Sequence, residues 1–323
     1  MARINPEDKL RRMDAALPKV RGLVQECRAC GRACGAARTA GGTGACRASS
    51  APGQVRYAAA VRHFGEEPML VGRGGSGTVF FSHCSLRCVF CQNHQISQAG
   101  EGEEHTVAEL ARAFLDLRAA GAENINLVTP TQYILPILEA LREAYAAGLD
   151  TPLVYNTNGY DAVALVEALA GVVDVWLPDL KYMDAEPARR YSGAADYPET
   201  ARAALRAMWR AAGPLRVDAD GIALGGVILR HLVLPENASG TYDMLLWLRD
   251  EGMTEITLGL MSQYSPRHRA TEHAEIARPL TPREYDDVVD YAVSLGFEHL
   301  LVQEMESQET YLPDFRKDHP FEG

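Results

Sequence analysis

From Thr78 onward the chain alternates short apolar runs with amphipathic stretches of helical period, six times over. The runs predict strands at about 78–83, 124–128, 153–155, 172–177, 226–234 and 255–259. Helices are expected after Thr106 and at about 132–147, 161–169, 184–191, 198–212 and 240–251, with a last one starting at Thr281. Thr106-Val-Ala-Glu109 and Thr281-Pro-Arg-Glu284 both read as capping boxes. Successive strand–helix units imply parallel strands joined by right-handed crossovers. A closed barrel needs eight such units. The expected fold is therefore α/β, a partial, open (β/α)6 TIM-like barrel.

In such sheets the functional residues collect at the C-terminal edge of the strands. The distinctive residues of this chain fall there. Cys84, Cys88 and Cys91 follow the first strand, and Thr129-Pro130-Thr131 the second. Asn156-Thr157-Asn158-Gly159 follows the third and Pro178-Asp179-Leu180-Lys181 the fourth. The fifth carries Arg230 and His231. Each loop alone has a plain reading as turn chemistry; their recurrence at one edge favours a site.

The three cysteines carry the sharpest chemistry. Their C-x3-C-x2-C spacing places three thiols in one short loop. Structural zinc takes four ligands, and so does an ordinary cubane iron–sulfur cluster. Three ligands leave one iron of a cubane open to a substrate or cofactor. The alternative, three inert packed cysteines, does not explain their crowding.

A second cysteine group, Cys27, Cys30, Cys34 and Cys46, precedes the barrel and is interleaved with glycines that permit tight turns around sulfur. It reads as a closed four-thiolate knuckle holding zinc or an auxiliary iron–sulfur cluster, with redox-active or unmetallated thiols as the remaining reading. Ahead of it, Asn5 and Pro6 with Leu10, Met13 and Leu17 suggest a lead-in helix, a frayed arm being the alternative. Residues 52–77 read as a flexible approach to the first strand. Gly72-Arg-Gly-Gly-Ser-Gly77 matches G-x-G-x-x-G, but a strand follows where a dinucleotide site needs a helix. Glu66-Glu67 reads as a solvated turn, interaction with the knuckle being the alternative. The expected units are 1–52 (helix and knuckle), 53–275 (barrel) and 276–323 (C-terminal helix and tail packing on the barrel).

Composition narrows the function classes. With 32 basic against 43 acidic residues the net charge is −11, which argues against a nucleic-acid surface. No apolar run is long enough to span a membrane, and the first residues lack the apolar core of a signal peptide. Seven cysteines at short spacings suit metal ligation in a reducing compartment, so a cytoplasmic location is expected.

The stretch Ser82-His83-Cys84-Ser85-Leu86-Arg87-Cys88-Val89-Phe90-Cys91 resembles the cluster motif of radical S-adenosylmethionine (SAM) enzymes. From Cys27 to about Phe315 the chain looks like PflX-type proteins, relatives of pyruvate formate-lyase activating enzymes. The resemblance implies a [4Fe–4S] cluster on Cys84, Cys88 and Cys91 whose open iron binds SAM. It implies reductive cleavage of SAM to a 5′-deoxyadenosyl radical, which abstracts hydrogen from a substrate. It also implies an electron donor such as flavodoxin or ferredoxin. Phe90 would pack near the SAM adenine. Thr129 and Thr131 stand where the family usually carries Gly-Gly-Glu, which receives the SAM amino group. Asn156-Thr157-Asn158-Gly159 and Asp179-Leu180-Lys181 look like loops that in those relatives hold a monovalent cation, with Asn156 replacing a carboxylate. Lys181 would pair with the SAM carboxylate or with Asp179. Arg230 would bind the same carboxylate or form a strand-edge salt bridge.

The name of those relatives points to a protein glycine as substrate, with another peptide or a small metabolite as the alternative. A non-catalytic iron–sulfur electron carrier or redox sensor is the rival from another class. An RNA-modifying radical enzyme fits the acidic balance less well.

Overall fold

The computed structural model describes residues 4–49, 51–305, 313–317 and 320–321. A sheet of ten strands runs through it. In chain order they are β1 (Gln54–His63), β2 (Ser76–Phe81), β3 (Glu103–Thr106), β4 (Ile125–Val128) and β5 (Leu153–Thr157). Then come β6 (Val175–Pro178), β7 (Arg216–Val217), β8 (Ala223–Leu232), β9 (Thr257–Met261) and β10 (Leu300–Val302). The order across the sheet is β10-β9-β8-β6-β5-β4-β2-β1-β3, with β7 paired to β8.

From β2 to β10 along that order every pairing is parallel. β1 and β3 extend the β2 edge antiparallel. The sheet is open, so the fold is the expected α/β partial barrel. Two expectations need correction. Residues 52–77 are not a flexible approach: β1 lies within them, followed by α2 (Pro68–Val71). A seventh parallel strand, β10, also adds to the six. It is only three residues long, too short for its periodicity to register in the sequence.

The longer helices cover the outer face. They are α1 (Pro6–Gln25), α4 (Val107–Ala119), α5 (Ile134–Ala146), α8 (Tyr197–Ala212), α9 (Thr241–Asp250) and α10 (Pro282–Ser294). Shorter ones are α3 (His94–Ser97), α6 (Val163–Leu169) and α7 (Ala185–Ser192). Both capping boxes form: Thr106 and Thr281 accept from the N3 backbone, and Glu109 and Glu284 accept from the cap backbone. Side chains alternate across each strand. Leu127, Tyr155, Trp176, Leu229 and Leu258 therefore join the helices in the main core. Their neighbours Val154, Val175, Leu177 and Ile228 point to the inner face and pack on Leu70 of α2. α2 thus stops the floor of the barrel with an apolar plug.

The lead-in segment is an ordered helix, not a frayed arm. Asn5 Oδ1 accepts from the backbone of Glu7 at 3.0 Å, and Met13, Ala16, Val20 and Val24 are buried. On its inward side Lys9 donates to the Val172 carbonyl and pairs with Asp174 at 2.7 Å. Asp174 also accepts from the Leu153 amide at 2.8 Å. Burial works against both charges and, although each group favours the other's charge, it holds Lys9 below and Asp174 above their ordinary pKa values. Among the described residues no helix is long and apolar enough to cross a membrane. Removing one partner of a buried pair strands the other charge, so Lys9→Met should lower unfolding stability by about 3–5 kcal/mol in urea titrations. The exposed pair Arg112–Asp116 offers a control, where Arg112→Ala should cost no more than about 0.5 kcal/mol.

Candidate active site

β2 delivers the cysteine loop to the C-terminal edge of the sheet. The three thiols are surrounded by hydrogen-bond donors. Cys84 Sγ accepts from Asn158 Nδ2 at 3.1 Å and from the Leu86 amide at 3.4 Å. Ser192 Oγ donates to Cys88 Sγ at 3.0 Å, and Ser97 Oγ lies 3.2 Å from Cys91 Sγ. Burial, with Cys88 beside it, pushes the Cys84 thiol up to about 12. The same causes push Cys91 up to about 11. Three clustered thiols in that state need a strong local positive charge to ionise together, which a bound iron cluster supplies. Donors already aimed at the sulfurs match what thiolate ligands require. The donor set therefore fits the cluster that the resemblance implies.

The loops after β5 and β6 meet beside the cysteines. Gly159 has φ +78°, and a Cβ there would stand 2.1 Å from the Asp179 carbonyl, so only glycine lets the two loops touch. Tyr197 OH closes the junction, 2.8 Å from the Asn158 carbonyl and 2.9 Å from the Lys181 amide that donates to it. Lys181 Nζ pairs with Asp179 at 2.6 Å. Burial opposes that ammonium, but Asp179 and Cys88 hold its pKa above the ordinary value.

Thr131 is turned away from the edge: its hydroxyl donates to Asp161 at 2.7 Å and lies 3.1 Å from Tyr155 OH. Thr157 also donates to Asp161, a fully buried carboxyl that burial pushes up. Thr129 adopts φ +55°, unusual for a β-branched residue and a store of local strain. It is fixed by its amide on the Asn156 carbonyl at 2.8 Å and by Gln132, whose amide reaches the carbonyls of Ser82, His83 and Thr129 within 3.0 Å. Phe90 is buried edge-on to Tyr264, with ring centroids 5.8 Å apart.

Arg230 reaches into the barrel. Its guanidinium donates to Glu67 Oε1 at 2.5 Å and Oε2 at 2.6 Å, and to Glu66. The reading of Glu66-Glu67 as a solvated turn is thereby corrected: their side chains are only 7% and 11% exposed. Burial raises the Glu66 carboxyl, but Arg230 outweighs it and keeps the group below the ordinary range.

The knuckle packs directly on this edge. Arg32 donates to the Ser85 carbonyl at 2.9 Å and the Gly193 carbonyl at 2.6 Å, and Arg87 donates back to the Ala45 carbonyl at 3.1 Å. Cys30 and Asp161 form a β-bridge. Cys27 and Cys46 are buried and Cys34 is exposed. Arg38 donates to Cys46 Sγ at 2.8 Å. Among the described residues no group of three or more His, Cys, Asp or Glu side chains stands ready to hold a single metal ion.

Several of these residues carry no functional role in the sequence reading: Gln132, Asp161, Ser192 and Tyr197, besides Glu66 and Glu67, which it reads only as a turn. Position at a strand end was a signal for Gln132 and Asp161. Nothing local marked Ser192 or Tyr197, whose partners lie far along the chain.

His231, on the opposite side of β8 from Arg230, is fully buried, and its ring nitrogens meet the Leu180 carbonyl and Thr241 Oγ1. Burial lowers its pKa to about 4. An unfolded histidine takes its proton near 6.5, roughly. Between these values the unfolded state binds more protons, so stability is whole above about 6.5 and drains as the pH falls toward about 4. Unfolding free energy should drop by about 2 kcal/mol more from pH 7 to pH 5 in the wild type than in His231→Gln, measured by urea titration.

Residues 78–214 match the family model described as "Radical SAM superfamily". An uncharacterized protein of Methanocaldococcus jannaschii, MJ0674, is 30% identical over 245 residues, covering 73% of this chain and 66% of that protein. The chain thus spans just under two thirds of that relative's length. A solved structure, HydG, described as a maturase of the [FeFe]-hydrogenase, aligns over 68% of this chain and 49% of its own, with 13% identity and a TM-score of 0.45. The cysteine loop, the parallel strands β4, β5 and β6 and the loops that follow them lie within the matched stretch, which makes up a radical SAM superfamily domain.

Proposed function

We propose that the chain is a radical SAM enzyme. The observation that carries the reading is the trio of thiols at the strand edge, Cys88 buried and Cys84 and Cys91 half-buried, each with a hydrogen-bonding group against its sulfur. Cys84, Cys88 and Cys91 would hold a [4Fe–4S] cluster. With SAM bound, such a cluster supplies one-electron cleavage to methionine and a 5′-deoxyadenosyl radical. The protein's part is to bind, orient and exclude water. Lys181 offers the SAM carboxylate a cation beside Cys88. Asp179 positions that ammonium from 2.6 Å. Phe90, Thr129 and Asn156 border the same edge, and Thr131 braces the loop from behind through Asp161. With Arg230 engaged by Glu66 and Glu67, Lys181 is the cation better placed for the carboxylate.

The substrate class we favour is a protein C–H bond, as in glycyl-radical activation. The Asn156–Gly159 and Asp179–Lys181 loops, which resemble those of activating enzymes, support this. A monovalent cation among their oxygens, an electron donor such as flavodoxin or ferredoxin, and a zinc ion or second iron–sulfur cluster on Cys27, Cys30, Cys34 and Cys46 complete the proposal.

The test is 5′-deoxyadenosine formation by anaerobically reconstituted protein given SAM and a strong reductant. Wild type should form it and Cys88→Ala should not. No product from protein that carries a cubane by its visible and paramagnetic-resonance spectra would overturn the reading in favour of an electron carrier. Metal analysis of the same wild-type preparation should find either zinc or iron beyond about four atoms per chain. Replacing Cys27 and Cys30 together by serine should remove that excess and leave the first cluster in place.

A further inference from the structure

The inner face of the barrel above the plug is a charged layer with no part in holding the cluster. From the cysteine edge downward the charges alternate: Lys181, Asp179, Arg230, then Glu66 and Glu67. Two cations face three carboxylates. One negative charge is therefore left over in a space that is largely screened from water, where charge counts most.

A second observation is independent of the carboxylates. Asn126, on the inner face of β4, is fully buried. Its amide nitrogen donates to Glu66 Oε1 at 3.1 Å, which fixes the orientation of the group, and its carbonyl oxygen has no partner. A buried acceptor left bare is unfavourable, so the site calls for a donor. A third observation gives room. β9 presents Gly259 to this layer at a φ that any residue can adopt, and a Cβ there would meet the Leu229 carbonyl oxygen at 3.7 Å, Arg230 Cγ at 3.9 Å and Glu67 Oε1 at 4.0 Å, all in ordinary contact. The glycine leaves a gap of about methyl size beside the carboxylate that backbone geometry does not require. On the β1 and β2 side, His63 packs 4.0 Å from the Phe321 ring, and Phe315 and Phe321 both lie against Phe80, making an apolar wall.

We propose that this layer is a substrate subsite for an alkylammonium group, held by Glu66, Glu67 and the Asn126 carbonyl, its apolar stem passing the aromatic wall toward the cysteine edge. The inference rests on the radical SAM reading for placing the substrate in the barrel. Arg230 here is a positioning residue: it spaces the two carboxylates and leaves one charge for the ligand. The ammonium supplies the donors that Asn126 lacks and neutralises the layer. A neutral chain of the same length would leave both defects in place.

Binding is measured by equilibrium dialysis on the reconstituted protein without reductant, so the outcome does not depend on SAM cleavage. The probes are Nα-acetyl-lysine amide, n-pentylamine and the neutral Nα-acetyl-norleucine amide. At least one amine should bind about tenfold or more tightly than the norleucine amide. Preference for the lysine amide assigns a peptide source, and preference for pentylamine a free amine. Glu67→Gln, which keeps the shape, and Gly259→Val, which fills the gap, should each weaken amine binding about tenfold. Equal binding of the amines and the norleucine amide to wild type would overturn the proposal, whatever the variants do. So would unchanged amine binding by both variants when their circular dichroism and melting match wild type. Absence of 5′-deoxyadenosine together with amine selectivity would instead sink the enzyme reading and leave the subsite standing.

Discussion

A parallel sheet that does not close on itself leaves its inner face to be buried by something other than its own strands. Here the answer comes from a segment outside the strand–helix repeat. The turn between β1 and β2 folds under the sheet, sends Leu70 into the apolar floor and lays Glu66 and Glu67 against Arg230. Burying three charges there is expensive unless each is hydrogen-bonded. Arg230 meets that condition with its forked geometry, which contacts both carboxylates at once. The floor is thus apolar below and ionic above, and the ionic layer faces the edge where the thiols stand.

The same alternation of strand faces separates two jobs on single strands. On β8, Arg230 looks inward to the charged layer and His231 outward to Leu180 and Thr241. On β5, Asn156 lies on the inner face and Thr157 on the outer, where it joins Asp161. Residues next to each other in sequence therefore serve the site and its support in turn. The support is dense: Asp161, Tyr197 and Gln132 between them fix the loops after β4, β5 and β6 from outside the site.

What the sequence made legible was local. The capping boxes form because cap and partner are three residues apart. The strand order follows from repeated crossovers, and the thiols meet because eight positions hold all three. What stayed hidden was long-range. Glu66 and Glu67 look solvated because Arg230 lies more than 160 residues away. Ser192 meets Cys88 across 104 positions, and Arg32 meets Ser85 across 53. β1 escapes the sequence reading because its mixed residues, Gln54 to His63, are nearly all half-buried on both faces, so the period of two is blurred. The unit boundaries at 52 and 275 remain expectations, and Tyr311 and Leu312 of the tail lie outside the described residues.

The docking of the knuckle on the thiol loop has a thermodynamic consequence. Arg32 from the knuckle holds the Ser85 carbonyl, and Arg87 from the loop holds Ala45. Order in either segment therefore lowers the conformational entropy that the other must still lose. Ordering of the knuckle and ordering of the thiol loop are in that sense linked equilibria, and by reciprocity each favours the other to the same degree.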